Sequence, residues 1–257
     1  MSSHCIARPL DPAEAFFFMA DRVSCMNFVF FAERSGHLDP GRIRAALAVI
    51  QDENPLLRSS ISWSADRGLC FEPAPGMPID LGCREVNADD WQTWLEQELA
   101  RPFGEGVSPL IRCLYLEMPS PERSVLALVF HHAVADGRSG NELLRRLLDG
   151  IATPKDLRAD GSMSPLPPMH QVFPPRFRWN EQPDAAKRSK AGLIADYKRH
   201  GPLTPLSWLS SAIQTRKPRF IRLGFSSDVT QRLLALSRQH GTSVHGASCA
   251  AQLLAQF

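Results

Sequence analysis

Apolar residues recur at helical spacing in several segments of the chain. Asp11-Pro12 and Asp39-Pro40 each join a capping side chain to a proline suited to the first helical position, so each pair predicts the start of a helix. Ser139 and Glu142 have the spacing of a capping box and predict a third start. The predicted apolar faces are Ile43, Leu47 and Ile50; Trp91, Trp94, Leu95 and Leu99; and Leu143, Leu144, Leu147, Leu148 and Ile151.

Apolar runs of another kind predict strands between these helices. Residues 25–32 (CMNFVFFA) are too continuously apolar for a surface segment and predict a buried strand. Residues 57–63 and 69–72 flank the turn sequence ADRG and predict a hairpin. Two more strands are predicted at 110–116 and 124–131. Helices thus alternate with strands and hairpins, which predicts an α/β protein of mixed α and β structure built around a sheet.

Composition along the chain predicts three segments. Residues 1–153 carry the elements above. Residues 154–217 begin rich in proline, which has no place inside a helix or a central strand, and predict a crossing segment or linker. Residues 218–257 return to regular structure, with a strand predicted at 219–225 and two helices after it. The first of these is stopped by Gly241, and the second begins near Ser243.

The stretch from 176 to 222 is basic, with eleven Lys and Arg against three acidic residues. A solvated face accounts for most runs of this kind. Contact with an acidic carrier domain or with a phosphate-bearing cofactor is the alternative.

Global composition argues against several classes of function. The 257 residues are 44% hydrophobic and 22% charged, as in ordinary globular proteins. A net charge of +2 gives no reason to expect a nucleic-acid partner. No apolar run reaches the roughly 18 residues of a transmembrane segment, and the N-terminus lacks the features of a signal peptide. The six cysteines form no C-x-x-C pair, so we expect reduced thiols and a cytoplasmic protein.

Residues 131–137 carry the most specific signal, HHAVADG, which has the form H-H-x-x-x-D-G. A chance match in a chain of this length is on the order of one in a thousand, which favours a functional origin. An apolar strand is predicted before the motif and a helix after it. The motif is therefore predicted to lie at the end of a strand, where a side chain can be held rigidly beside an open cleft.

Three interpretations of the histidines compete. Metal binding is disfavoured because adjacent strand residues point to opposite faces, and His132 with Asp136 would still lack a third ligand. A structural role, in which His131 and His132 only close the strand, is the second. The third is general-base catalysis, for which histidine is suited because its ordinary pKa, about 6.5, lies near working pH.

Asp136 and Gly137 complete the motif. Asp136 stands four residues beyond His132, where an aspartate can brace the loop by pairing with an arginine or with backbone N–H groups. It need not orient the imidazole, so no catalytic triad is predicted. Gly137 permits a backbone conformation, or a close substrate approach, that a Cβ atom would block. The many phenylalanines near the N-terminus are interpreted as core residues rather than a lipid site. They are Phe16, Phe17, Phe18, Phe28, Phe30 and Phe31.

The motif resembles that of the HHxxxDG acyltransferase superfamily. This superfamily includes chloramphenicol acetyltransferase, condensation domains of nonribosomal peptide synthetases, and polyketide-associated acyltransferases such as the phthiocerol dimycocerosyl transferase type. Other similar landmarks follow in order, namely LDPAE at residues 10–14, NPLLR at 54–58 and TSV at 242–244. The resemblance extends over essentially the whole chain, but only the HHxxxDG segment is specific.

The resemblance implies a chloramphenicol acetyltransferase-like fold of two similar α/β sandwiches with a tunnel between them. Residues 1–153 would be the N-terminal subdomain, 154–217 the crossing segment and 218–257 the start of a C-terminal subdomain that is cut short. His132 would be the general base, with His131, Asp136 and Gly137 supporting the motif. Arg58 is a candidate salt-bridge partner of Asp136.

The reaction implied is transfer of an acyl group to a small alcohol or amine from a thioester of coenzyme A or of a carrier-protein pantetheine arm. No bound cofactor or metal is expected. Since members of the superfamily are longer, a second half or a partner chain would complete the tunnel, and the chain alone is expected to be weak or inactive. The alternatives are a non-catalytic remnant or docking module of the same fold, and a fragment of a condensation domain.

Overall fold

The computed structural model describes residues 7–153 except 23, 75, 120 and 121, residues 164 and 167–175, scattered positions between 184 and 199, and residues 217–255. The chain divides into two compact units, residues 1–218 and 219–257. The predicted crossing segment, 154–217, lies almost wholly outside the described residues.

Seven strands are present in the described part of the first unit. They are β1 (Arg8–Pro9), β2 (Asn27–Ser35), β3 (Ser59–Ser64), β4 (Gly68–Pro73), β5 (Asp80–Glu85), β6 (Ile111–Met118) and β7 (Arg123–His131). Helices of the same unit include α1 (Pro12–Ala20), α2 (Pro40–Glu53), α3 (Trp91–Ala100), α4 (Gly137–Ala152) and the short α5 (Met169–Val172), with a 3-10 turn at Pro55–Arg58. The predicted mixed α/β class is confirmed.

The larger sheet has the strand order β2–β7–β6–β5. β7 runs antiparallel to both of its neighbours, while β5 runs parallel to β6. A second, three-stranded sheet has the order β1–β4–β3, in which β3 and β4 form the predicted hairpin. In the larger sheet, Asn27 at the start of β2 pairs with His131 at the end of β7. The register therefore places the HHxxxDG segment at the end of the sheet where β2 begins and β7 finishes.

Helices α2 and α4 pack together over one face of the larger sheet. The core on this face joins Ile43 and Leu47 of α2 and Leu147 of α4 to Leu128 and Phe130 of β7, all nearly inaccessible to solvent. This is the packing of helices on a sheet that the family resemblance implies. α3 covers the other face, where Trp91 contacts Phe31 of β2.

β2 differs from its prediction. The apolar run at 25–32 was expected to form a buried strand, but most of β2 is only half-buried and Phe31 is 36% exposed. Among the described strands β2 pairs only with β7, so it lies at the edge of the sheet. An apolar sequence alone therefore does not distinguish an edge strand that is covered by helices from a strand in the centre of the sheet.

The second unit contains α6 (Ser227–Gln239) and α7 (Val244–Leu254), both as predicted. Ser226 caps α6 and Ser243 caps α7, and Gly241 adopts a φ of 62° between them. The predicted strand at 219–225 is wrong, because these residues lie in no strand. Their alternating apolar side chains are exposed, since no described strand pairs with the segment.

Within the described ranges, no helix combines the length and the apolar character needed to cross a membrane.

Candidate active site

The HHxxxDG segment occupies a strand–loop–helix junction. β7 ends at His131, the loop follows, and α4 begins at Gly137. The loop is held at two backbone positions. The N–H of His132 donates to the carbonyl of Met26 at 3.1 Å, and the N–H of Val134 donates to the carbonyl of His131 at 3.1 Å. The first of these bonds fixes the loop against the residue that precedes β2.

His131 is fully buried and fixes the loop from inside. Its Nδ1 accepts a hydrogen bond of 3.0 Å from the backbone N–H of Ala133. The neutral ring therefore carries its proton on Nε2, which is buried without a hydrogen-bond partner among the described residues. The rings of Phe18 and Phe103 lie 5.7 and 6.0 Å from the imidazole. The His131 side chain is thus engaged by the loop and by the core rather than by solvent.

Burial lowers the pKa of His131 to about 4, which links protonation of this ring to folding. The unfolded ring has a pKa of about 6.5, so below that value the unfolded state binds a proton that the folded state excludes. We therefore expect His131 to reduce the free energy of unfolding by roughly 1.4 kcal/mol per pH unit as pH falls from 6.5 to 4. Urea unfolding at a series of pH values measures this slope.

His131→Asn is the matched variant for this measurement. An Asn side chain can accept a hydrogen bond from the N–H two residues ahead, so the contact with Ala133 can be kept while the titrating group is removed. The difference between the two slopes isolates His131 from the acidic residues that titrate in the same range. Identical slopes for the two proteins would refute the low pKa.

His132 lies in a different environment from His131. Its ring is half-buried and stacks on Phe17, with centroids 4.1 Å apart and ring planes within 5° of parallel. Phe28 also contacts it, at 4.9 Å and a tilt of 57°. No side chain or backbone group among the described residues hydrogen-bonds to its ring nitrogens. The nitrogens lie in the ring plane, so stacking on the ring face does not engage them.

Asp136 is the N-cap of α4. Its Oδ1 accepts hydrogen bonds from the backbone N–H of Ser139 at 2.8 Å and from the Ser139 hydroxyl at 2.7 Å. The Ser139 hydroxyl in turn accepts from the N–H of Asp136 at 2.8 Å. The hydroxyl contact, followed by the backbone one, lowers the pKa of Asp136. The carboxylate is therefore charged at neutral pH and favourably placed at the positive end of the helix dipole.

This geometry corrects two predictions. The capping box predicted at Ser139 and Glu142 lies three residues earlier, between Asp136 and Ser139, because aspartate supplies the cap and Ser139 stands at the third helical position. The predicted salt bridge to Arg58 is not formed in the described structure. Arg58 ends the 3-10 turn, and Ser139 rather than an arginine engages the Asp136 carboxylate.

The backbone conformation of Gly137 is one that any residue can adopt, since its φ lies outside the left-handed region. A Cβ atom at this position would meet no described atom within 4 Å. The backbone reason for a glycine is therefore removed. Close approach of a substrate is the reason that remains.

Gly140, one turn further into α4, does need to be glycine. A Cβ atom there would lie 2.7 Å from Cδ2 of Phe30 and 3.0 Å from Cε2 of Phe28. The missing side chain lets α4 approach β2 closely. Because Phe28 also contacts His132, this approach helps to shape the site.

We expect Gly140→Ala to lower the free energy of unfolding by up to about 2 kcal/mol. The added methyl group must displace two aromatic rings, and overpacking of this kind costs about 1–3 kcal/mol, against a gain of about 1 kcal/mol in helix propensity. Gly137→Ala is the control, since it adds the same group to the same helix in open space. Denaturant unfolding that shows equal stabilities for the two variants would contradict the packing argument.

The aromatic neighbours of the histidines were missed as site residues. Phe17, Phe18 and Phe28 were interpreted only as core residues, but Phe17 and Phe28 contact His132 and Phe18 contacts His131. One feature of the sequence could have indicated that some of these phenylalanines lie outside the core. Three phenylalanines in succession on a short helix cannot all face the core, and Phe16 is 63% exposed.

A cavity of about 460 Å³ lies elsewhere, lined mainly by Arg34, His37, Arg42 and Leu148. Arg34 is seven residues beyond Asn27 on β2, about 23 Å at roughly 3.3 Å per residue. The cavity is therefore at the opposite end of the sheet from His132. No group of three metal-binding side chains comes together among the described residues.

The relatives of the chain are peptide synthetases, although no protein-family model matches it. Tyrocidine synthase 3 of Brevibacillus parabrevis is 23% identical over 220 residues, which cover 82% of this chain and 3% of that protein. The nonribosomal peptide synthetase kk1B of Curvularia clavata is 24% identical over 221 residues, which cover 84% of this chain and 2% of that protein. The chain thus matches only a small part of each relative.

Solved structures identify the fold. The first condensation domain of the calcium-dependent antibiotic synthetase, in complex with a substrate analogue, is similar with a TM-score of 0.68 at 18% identity. The match covers 96% of this chain and 60% of that structure. The chain has the fold of a condensation domain. The predicted chloramphenicol acetyltransferase-like architecture is therefore confirmed.

Proposed function

We propose that the chain carries out acyl transfer of the condensation type, in which an amine attacks a thioester and His132 acts as general base. The observation that carries this proposal is the His132 ring, whose nitrogens are unengaged by any described residue at the end of β7 in a condensation-domain fold. The similarity to nonribosomal peptide synthetases favours an amine acceptor over an alcohol.

The chemistry requires one base and one leaving thiol. The amine nitrogen forms a bond to the thioester carbonyl carbon, and the C–S bond breaks as the tetrahedral intermediate collapses. His132 takes the proton that the amine loses and passes it to the departing sulfur, which leaves as a thiol. Histidine is the side chain most often used for proton transfer of this kind.

The other motif residues would hold His132 in place. His131 secures the loop through Ala133, and Asp136 begins α4 directly behind the loop. Gly137 leaves open space that a substrate group can enter.

The donor is proposed to be a thioester of a pantetheine arm, either on a carrier protein or on coenzyme A, and the chain to work in the cytoplasm. No resident cofactor or metal takes part in the proposed step. A transferase of the polyketide-associated type is the alternative, and we distinguish it by transfer to a hydroxyl group in place of an amine. A second half or partner chain that completes the tunnel belongs to the same proposal.

Product analysis tests the proposal. The 257-residue chain is incubated with acyl-pantetheine, acyl-coenzyme A or acyl-carrier protein, each with an amine or an alcohol acceptor, and products are identified by mass spectrometry. We expect amide from a pantetheine donor, formed faster than in the buffer control. Ester in place of amide would favour the polyketide-associated type. Rates equal to the buffer control with every pair would favour the non-catalytic remnant.

A further inference from the structure

The His132 imidazole is held by stacking rather than by hydrogen bonds. A histidine that acts as a base is usually oriented through its second nitrogen, by a carboxylate or a carbonyl oxygen. Here no described residue bonds to either nitrogen, and the nearest carboxylate of the motif, Asp136, is engaged by Ser139. The parallel ring of Phe17, 4.1 Å away, is the closest contact that fixes the plane of the imidazole.

Phe17 is itself rigidly placed, because α1 is secured at its beginning. Asp11 accepts hydrogen bonds from the backbone N–H groups of Ala13 and Glu14, and Glu14 accepts from the N–H of Asp11. Arg8 forms a bidentate salt bridge to Glu14, with two hydrogen bonds of 2.7 Å. One turn of helix then separates this anchor from Phe17.

Adjacent residues of α1 contact adjacent residues of the motif. Phe18 is buried 5.7 Å from His131, while Phe17 stacks on His132. Packing of Phe18 against His131 positions α1 on β7. Because Phe17 belongs to the same helix, this packing also places its ring against His132. Phe28 contacts the imidazole as well, and thereby restricts rotation of the ring.

We propose that Phe17 is the positioning residue of His132, a stacked aromatic ring that orients the imidazole where no described residue hydrogen-bonds to it. This proposal rests on the proposed function of His132 as a base. Phe17 fixes the plane of the imidazole, and with it the plane in which both ring nitrogens lie. Loss of the ring would let the imidazole rotate, and a misplaced catalytic group can cost up to about 10²-fold in rate.

Phe17→Leu, Phe17→Tyr and Phe16→Leu test this. Leucine keeps apolar volume without a stacking plane, and tyrosine keeps the plane. Phe16 is the matched control, since it is an exposed neighbour on α1 with no ring contact to His132. We expect Phe17→Leu to lower kcat by roughly 10- to 100-fold with little change in KM. Phe17→Tyr and Phe16→Leu should stay near wild type. Equal losses in the two leucine variants would overturn the proposal.

NMR gives a second readout that needs no activity. Ring protons stacked over a phenylalanine face are shifted upfield, and the His132 signals are assigned by their absence in His132→Ala. We expect an upfield shift in wild type, retained in Phe17→Tyr and lost in Phe17→Leu. Unshifted His132 signals in the wild-type protein would overturn the stacking role of Phe17. If the wild-type signals are shifted but the protein forms no product, only the proposed function is overturned.

Discussion

A His132→Ala variant is expected to form product about 10²–10⁴-fold more slowly than the wild-type chain. This is the range that a positioned general base contributes, and no other described residue presents an unengaged imidazole at the end of β7. Initial rates of thiol release from an acyl-pantetheine donor, at saturating amine, measure the loss. Because alanine also removes a stacking partner of Phe17, circular dichroism of the variant accompanies the rates.

His37→Ala is the control for this experiment. His37 is an exposed histidine that lies near Glu122, at the far end of the larger sheet from His132. Its removal should leave the rate unchanged. An unaltered rate in His132→Ala, with product still formed by wild type, would remove the general-base role.

The largest expected effect on stability is that of Arg146→Met. Arg146 of α4 forms two hydrogen bonds to Glu53 at the end of α2, and the Glu53 side chain is only 9% exposed. Breaking a buried ion pair by removing one partner costs about 3–5 kcal/mol. Since Arg146 itself is a third exposed, we expect a loss near the lower value, about 3 kcal/mol, in denaturant unfolding.

Arg145→Met is the matched control, because Arg145 is the preceding residue of the same helix. It forms ion pairs with Glu142 and Asp149 on the exposed surface. Exposed pairs of this kind contribute about 0–1 kcal/mol, so the loss should be several times smaller. Comparable losses in the two variants would mean that the Glu53 contact does not hold α2 to α4.

Most of the fold could be predicted because its signals are local. The caps at Asp11, Asp39 and Ser243, and the helical stop at Gly241, are set by residues within one turn of the helix ends. β5 was not predicted. Its sequence, DLGCRE, has only two alternating apolar residues, Leu81 and Cys83, with a glycine between them, and it forms a strand by pairing with β6. The opposite error occurred at 219–225, where alternation is present and no described strand pairs with it.

The candidate site was predicted only where it is continuous in sequence. His131, His132, Asp136 and Gly137 lie in one motif, and their order fixed the strand–loop–helix context. Phe17 comes from a distant part of the sequence and reaches His132 only through the packing of α1. Gly140 was missed for a similar reason, since its function depends on Phe28 and Phe30 of β2 rather than on its own helix.

The direct test of the central claim is a single-turnover transfer followed by intact-protein mass spectrometry. An acyl group is loaded on the pantetheine arm of a carrier protein and mixed with an amine acceptor and excess protein, either wild type or His132→Ala. We expect wild type to unload the carrier and form amide, and His132→Ala to do so at least about 10²-fold more slowly. A carrier that is unloaded no faster with wild type than in buffer, or equally fast with both proteins, would contradict acyl transfer by His132.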